Sequence, residues 1–293
     1  MHHETHGPGG AGELGRRGCL RRALGGLAAA ALSGGLPASS AAPARAAEPE
    51  PPADPALLDD LVLANRILAD QGVVDGFGHV SARHDKRADR FWLARSMAPA
   101  LVTRADLMEF ELDGTAVAPA GRAPYLERFI HGAIYRARPD VKAVVHSHAP
   151  GLIPFGVAGG ARLRPVFHLA GFLGEGAPVF EIRDAAGAET DLLVGTPGLG
   201  DALARSLGDG AVVLMRGHGA TAVGGDVRQA VFRAVYAEAN AKVQAEAMRL
   251  SQASSGQVNY LNAREAQAAA KTNDAVMGRA WELWATRVRR PSP

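Results

Sequence analysis

The run Val144-Val145-His146-Ser147-His148 constrains this chain more than any other stretch. β-Branched residues favour a strand, and in a strand alternate side chains share a face, so His146 and His148 point the same way. Two imidazoles so placed can take adjacent positions around one divalent metal, or they can be an incidental half-buried pair. A third ligand must come from elsewhere, and Arg216-Gly217-His218-Gly219 supplies a candidate. It follows the apolar residues 211–215, and its flanking glycines let the backbone turn sharply and approach a ligand. Three neutral nitrogens with an open position distinguish a catalytic metal site from a closed structural one. Cysteine plays no part: the chain has one, Cys19, which excludes an intramolecular disulfide framework and any multi-cysteine metal site.

Strands and helices alternate around these histidines. Asp54-Pro55 is a helix opening, with Asp as N-cap and Pro at the first helical position. Leu57, Leu58, Leu61, Val62, Ile67 and Leu68 then recur at helical spacing up to Gly72. The same reasoning predicts helices over residues 124–137, 199–207, 226–250 and 263–288. Strands are predicted at 78–83, 91–94, 109–112, 141–147, 165–168, 179–181, 211–215 and 221–223. With no internal repeat, this order predicts one three-layer α/β/α domain. A chain of 293 residues, 47% hydrophobic, can bury such a core and is not disordered throughout. A net charge of +2 without a basic stripe argues against a nucleic-acid partner.

The N-terminus reads as an address. Arg16-Arg17 precedes a mildly apolar Ala/Leu/Gly stretch, and Ala44-Arg45-Ala46 offers a small-x-small cleavage signal. Residues 1–46 therefore resemble a Tat-type signal peptide, which exports folded proteins to the periplasm and leaves no membrane anchor after cleavage. The alternative is a misplaced start upstream of a cytoplasmic protein. Removing residues 1–46 takes away five Arg and two Glu and turns the net charge of +2 into −1. Residues 47–54 are expected to form a Pro-rich linker, 55–250 the main domain, and 251–293 a C-terminal helical extension packed on it.

Glu127 lies nineteen residues before His146. A carboxylate there can be a fourth ligand, a proton carrier or an ordinary solvated helix residue. Together, Glu127, His146-Ser147-His148 and Arg216-Gly217-His218-Gly219 resemble the class II aldolase/adducin family, over about residues 57–250. The resemblance implies an α/β/α sandwich with a mostly antiparallel central sheet. It also implies a homotetramer with active sites at subunit interfaces. His146, His148 and His218 would bind a divalent metal, zinc or else manganese, cobalt or nickel, and Glu127 would be the acid/base. The family's scaffold members lack the metal histidines. All three stand here, which sets a non-enzymatic adducin-like interaction module behind an enzyme.

The departures bear on substrate. Sugar-phosphate aldolases of the family hold phosphate with a Gly-Asn pair, a Thr/Ser-Gly pair and a Ser-Ser pair. This chain has Gly78-His79, Arg95-Ser96-Met97 and Tyr125-Leu126 at those places. An Arg fork and an imidazole suit a planar carboxylate better than a phosphate. Gly78-His79-Val80-Ser81, Arg95-Ser96, Tyr125-Leu126-Glu127-Arg128-Phe129 and Pro165-Val166-Phe167-His168 resemble the decarboxylase-type branch, including hydroxyphthalate and carboxy-hydroxymuconate-semialdehyde decarboxylases. That implies a lyase removing CO2 from a hydroxylated aromatic or muconate-type acid through a metal-stabilised enolate. The alternative is an aldolase or epimerase working on a sugar-like hydroxycarbonyl compound. His79, Ser81, Arg95, Ser96, Tyr125 and His168 are the candidate substrate contacts, with His168 open also to a ligand or a structural role. Tyr236 is expected to pack in the core, and His84 and His131 to lie on the surface.

Overall fold

A computed structural model describes residues 52–289. The expected signal peptide and all but the end of the expected linker lie outside the described residues. Eight strands form one sheet: β1 His79–Arg83, β2 Arg90–Ala94, β3 Leu107–Glu111, β4 Ala116–Val117, β5 Ala143–Ser147, β6 Val179–Phe180, β7 Val212–Met215 and β8 Gly219–Gly224. Their order is β4-β3-β2-β1-β5-β8-β7-β6. Every pairing is antiparallel except β6 with β7. The central strand β5 lies between β1 and β8, with His146 opposite His79 on one side and Thr221 on the other.

The helices are α1 Pro55–Asp70, α2 Arg128–Ala137, α3 Ile153–Val157, α4 Arg183–Ala186, α5 Pro197–Leu207, α6 Val227–Ala253, α7 Ala263–Val276 and α8 Gly278–Arg289. The alternation of the strands divides them into two layers. Val80, Ala82, Ala143, Val145, Val212 and Leu214 face a core shared with α1, α6 and α8, including Leu61, Ile67, Val231, Trp281 and Trp284. Val144, Val213, Met215, Phe91 and Phe110 face a second core with Ile130 and Ile134 of α2 and Leu203 of α5. The expected three layers and the mostly antiparallel sheet are what the chain forms. No described helix is long and apolar enough to cross a membrane.

The expected caps form, with Asp54 accepting from the Ala56 amide and Asp226 from that of Gln229. Three elements depart from expectation. The helix expected from residue 124 begins at Arg128, because Pro124 bridges to Arg95 and holds the chain extended. The strand expected at 165–168 does not form. The main chain there finds its partners on α6 instead: the Arg164 and Val166 amides donate to Gln244 and Asn240, whose side-chain NH2 groups donate back to the Arg162 and Arg164 carbonyls. Extended backbone satisfied by helix amides needs no neighbouring strand. The last expected helix is two, α7 and α8, parted at Met277.

Candidate metal centre

Strand alternation aims His79, Ser81 and Arg83 of β1, and His146 of β5, at the α2 side of the sheet. His146 is fully buried, and His148 follows directly after the strand. His218 sits in the tight turn between β7 and β8, closed by its own amide donating to the Met215 carbonyl across Gly217, which has φ +67°. Only glycine fits next in line: a Cβ on Gly219 would lie 2.0 Å from the Ser147 carbonyl oxygen. That contact brings the His218 turn against the end of β5. Glu127 is the residue immediately before α2, so the helix start carries its carboxylate to the same point.

The result is a convergence of four donors. The Nε2 atoms of His146 and His148 are 3.2 Å apart, and those of His148 and His218 2.9 Å. Glu127 Oε2 lies 3.4 Å from His146 Nε2 and 3.5 Å from His218 Nε2. Among the described residues, this group of Glu127, His146, His148 and His218 has ligand atoms all within 4.8 Å of one another. Tetrahedral zinc with bonds of about 2.0–2.1 Å separates its donors by about 3.3 Å, so the spacing fits such an ion. The chemistry of the donors fits as well. His218 Nδ1–H donates to the Leu192 carbonyl at 2.8 Å, which leaves its Nε2 bare and pointing inward. Leu192 holds φ +70° to present that carbonyl, strain of the kind that collects at functional sites. His146 Nδ1 is buried without a hydrogen-bond partner among the described residues.

Burial alone would raise the Glu127 carboxyl, but His146 and His218 beside it hold it well below the usual carboxylate range. Its Oε1 accepts from the Val194 amide at 2.9 Å, leaving Oε2 facing the imidazoles. Burial, then its neighbours His146 and His218, pushes His148 down to about 4. Burial also opposes protonation of His218, yet Glu127 prevails and moves it upward.

The remaining candidates divide. Tyr125 and His79 lie beside the cluster: their ring centroids are 4.6 Å apart, and His79 is 5.0 Å from His146. The Tyr125 hydroxyl donates to the Met97 carbonyl. Ser81 is fully buried behind His79, its hydroxyl between His131 and Tyr135, so it does not line the open part of the site. Arg95 is partly exposed and paired with Asp106 at 2.7 Å. Ser96 is exposed, and so is His168, at the start of a 3-10 turn. Arg216 is tied to Glu181 at 2.8 Å rather than facing the imidazoles.

Two histidines expected on the surface are buried. His131 has no exposure because it faces the sheet and bonds His79 and Ser81. His84 is covered by Trp92, and its Nδ1 accepts from the Lys86 amide. Tyr236 packs between Phe232 and Trp284. Sequence reasoning missed His131, Tyr135 and the main-chain groups of Leu192 and Val194. The first two carried a signal: residues i and i+2 of a strand share a face, as do i and i+4 of a helix, so His79 and Ser81 match His131 and Tyr135 in spacing.

Comparison with known proteins gives the family. Residues 59–245 match the model of the Class II Aldolase and Adducin N-terminal domain, and the chain belongs to that family. It is 38% identical over 240 residues to "Decarboxylase tropJ" of Talaromyces stipitatus, covering 76% of this chain and 90% of that one. It is 33% identical over 190 residues to the 3,4-dihydroxyphthalate decarboxylase of Arthrobacter keyseri, covering 60% of this chain and 72% of that one. Among solved structures, the L-fuculose 1-phosphate aldolase of Glaciozyma antarctica superposes with a TM-score of 0.64 at 23% identity, over 82% of this chain and 93% of that one. That likeness is one of fold. The chain is thus an enzyme of the class II aldolase type with a cluster able to hold a metal.

Proposed function

We propose that the protein is a divalent-metal-dependent carboxy-lyase acting on a hydroxylated aromatic or muconate-type carboxylic acid. The observation that carries this reading is the convergence of Glu127 Oε2 and three histidine Nε2 atoms next to His79 and Tyr125. The relatives named as decarboxylases support the choice of reaction. Their identity is higher than that of the aldolase of like fold.

His146, His148 and His218 would hold the ion, with zinc the first candidate and manganese, cobalt or nickel compatible with the same donors. Bound there, it would supply Lewis-acid chemistry to a chelating hydroxyl or carbonyl oxygen as the C–C bond breaks. Glu127 holds its ionised carboxylate where it can take the proton of the substrate hydroxyl. The bond to the departing carboxylate cleaves, CO2 leaves, and the electron pair remains on the substrate carbon. Glu127 returns the proton to that carbon. Arg95, Ser96, Tyr125, His79 and His168 are assigned to the carboxylated end of the substrate. Arg95 would reach it with the nitrogens of its fork that Asp106 leaves open.

Two further parts of the reading concern assembly and address. Phe77 and Leu126 are 69% and 55% exposed, and the Phe77 ring is 6.2 Å from that of His148. Apolar surface at the mouth of a site suits a covering subunit, in line with a homotetramer. The leader supports Tat export to the periplasm, which fractionation of expressing cells would test.

Product analysis tests the reaction. The zinc-loaded chain is offered 3,4-dihydroxyphthalate, other hydroxylated aromatic acids, muconate-type acids and sugar phosphates, with CO2 and aldehyde followed together. CO2 from any acid, lost in Glu127→Gln, is the expected result. Aldehyde without CO2 would overturn the carboxy-lyase reading and make the protein an aldehyde-lyase.

A further inference from the structure

Behind His79 runs a continuous chain of buried hydrogen bonds. His79 Nδ1 is 2.7 Å from His131 Nε2, His131 Nδ1 is 2.6 Å from Ser81 Oγ, and Ser81 Oγ is 2.7 Å from the Tyr135 hydroxyl. All four side chains are buried between β1 and α2, at 3% exposure or less. The chain ends in Tyr135, whose hydroxyl meets Ser81 Oγ and the main-chain amide of Val144, the latter able only to donate.

That end sets the direction of every bond. Burial raises the Tyr135 phenol, so it keeps its proton, and a buried O–H must donate to an acceptor. Ser81 Oγ is the acceptor present. The Ser81 proton then points the other way, to His131 Nδ1. Accepting there, the His131 ring is neutral and carries its one proton on Nε2. That proton is donated to His79 Nδ1. Accepting at Nδ1, His79 must therefore carry its own proton on Nε2. The opposite direction would leave the Tyr135 O–H without an acceptor.

We propose that Tyr135, Ser81 and His131 form a one-way relay that fixes His79 in its Nε2–H tautomer, a built-in donor to an anionic substrate oxygen beside the histidine cluster. The substrate end of this statement rests on the carboxylate reading above; the tautomer does not. The relay also excludes His79 as a metal ligand through Nε2, since that nitrogen has no free lone pair. His131, Ser81 and Tyr135 are positioning residues acting through His79.

The test is a long-range 15N–1H correlation spectrum of the full-length, zinc-loaded chain labelled with 15N-histidine, with His79 and His131 assigned by the peaks missing in His79→Gln and His131→Gln. Both rings are expected as pure Nε2–H tautomers. A His79 ring protonated on Nδ1, or averaging between tautomers, overturns the relay. Tyr135→Phe keeps the ring but removes the terminal donor, and should turn the His79 signals into those of a tautomer mixture; an unchanged spectrum in a cooperatively melting variant overturns the role of Tyr135. If that variant does not fold, the wild-type spectrum and the pair Ser81→Ala and Ser81→Thr decide, with only Thr restoring the fixed tautomer. Added phthalate should shift the Nε2–H proton downfield. A fixed tautomer that phthalate leaves unmoved upholds the relay and removes the carboxylate reading.

Discussion

The histidine cluster and the rim around it are built by different rules. In the cluster, partners come from within the chain. His218 is oriented by the Leu192 carbonyl, Glu127 by the Val194 amide, and the His218 turn is seated against β5 by Gly219. At the rim, Ser96 and His168 are exposed, Phe77 and Leu126 present apolar surface, and Arg95 is partly engaged by Asp106. Preorganised donors cost little reorganisation when a reaction draws on them, whereas exposed side chains are ordered only when something binds. The comparison teaches that the histidine cluster is held in place by the chain's own fold, whereas the rim is held loosely and would be ordered by whatever binds there.

The sharpest way to break this contrast is His146→Ala. Bound zinc, measured by plasma emission, is expected to fall to about a tenth of the wild-type content or less, and turnover to disappear with it. Stoichiometric metal in that variant would remove the distinction between cluster and rim. Glu127→Gln is next. It should keep the metal within about twofold but lower kcat by about 10²–10⁴-fold, the range for a lost proton carrier. Full activity would end the role assigned to Glu127.

An acid titration probes the buried side of the sheet. His131 is held at about 3 by burial and by His146, against 6.5 in the unfolded chain. The unfolded state therefore binds the extra proton between these values. The contribution of His131 is complete above pH 6.5 and is lost as pH falls toward 3, at up to about 1.4 kcal/mol per pH unit. Urea unfolding at pH 6.5 and 4.5 should show this slope, and His131→Gln should flatten it. The smallest effects belong to the rim. Arg95→Ala should raise KM about tenfold or less, the weight of one charge-assisted bond, and His168→Ala should change it less than about twofold. A rim substitution that strips the metal would place that residue in the cluster.

How far the sequence foretold this can be argued from particular residues. The cluster was legible because its geometry is local: alternation puts His146 and His148 on one face, and flanking glycines announce a turn at His218. The caps at Asp54 and Asp226 were legible for the same reason. The start of α2 was not, because what delays it is the Pro124–Arg95 bridge, a pairing across 29 residues. The missing strand at 165–168 was hidden in a similar way: its partners, Asn240 and Gln244, read as ordinary polar positions of a long helix. His131 looked like a surface residue because its i, i+4 spacing to Tyr135 gains meaning only when the helix is set against His79 and Ser81, about 50 residues away in the chain. Contacts that depend on tertiary approach stay silent in a chain read in order.

The close seat of Gly219 on the Ser147 carbonyl has a consequence for how the metal preference of the proposed site would change. The bite of the site, 2.9 Å between His148 and His218, follows from the weave of two main-chain segments and not from the ligands themselves. Exchanging a ligand alters donor softness and leaves the bite intact, so selectivity can drift one residue at a time. Adding a single methyl at residue 219 would spread the bite for every ion alike. Titrations of Gly219→Ala with zinc, manganese and cobalt should show one common loss of affinity, while a ligand exchange reorders the three.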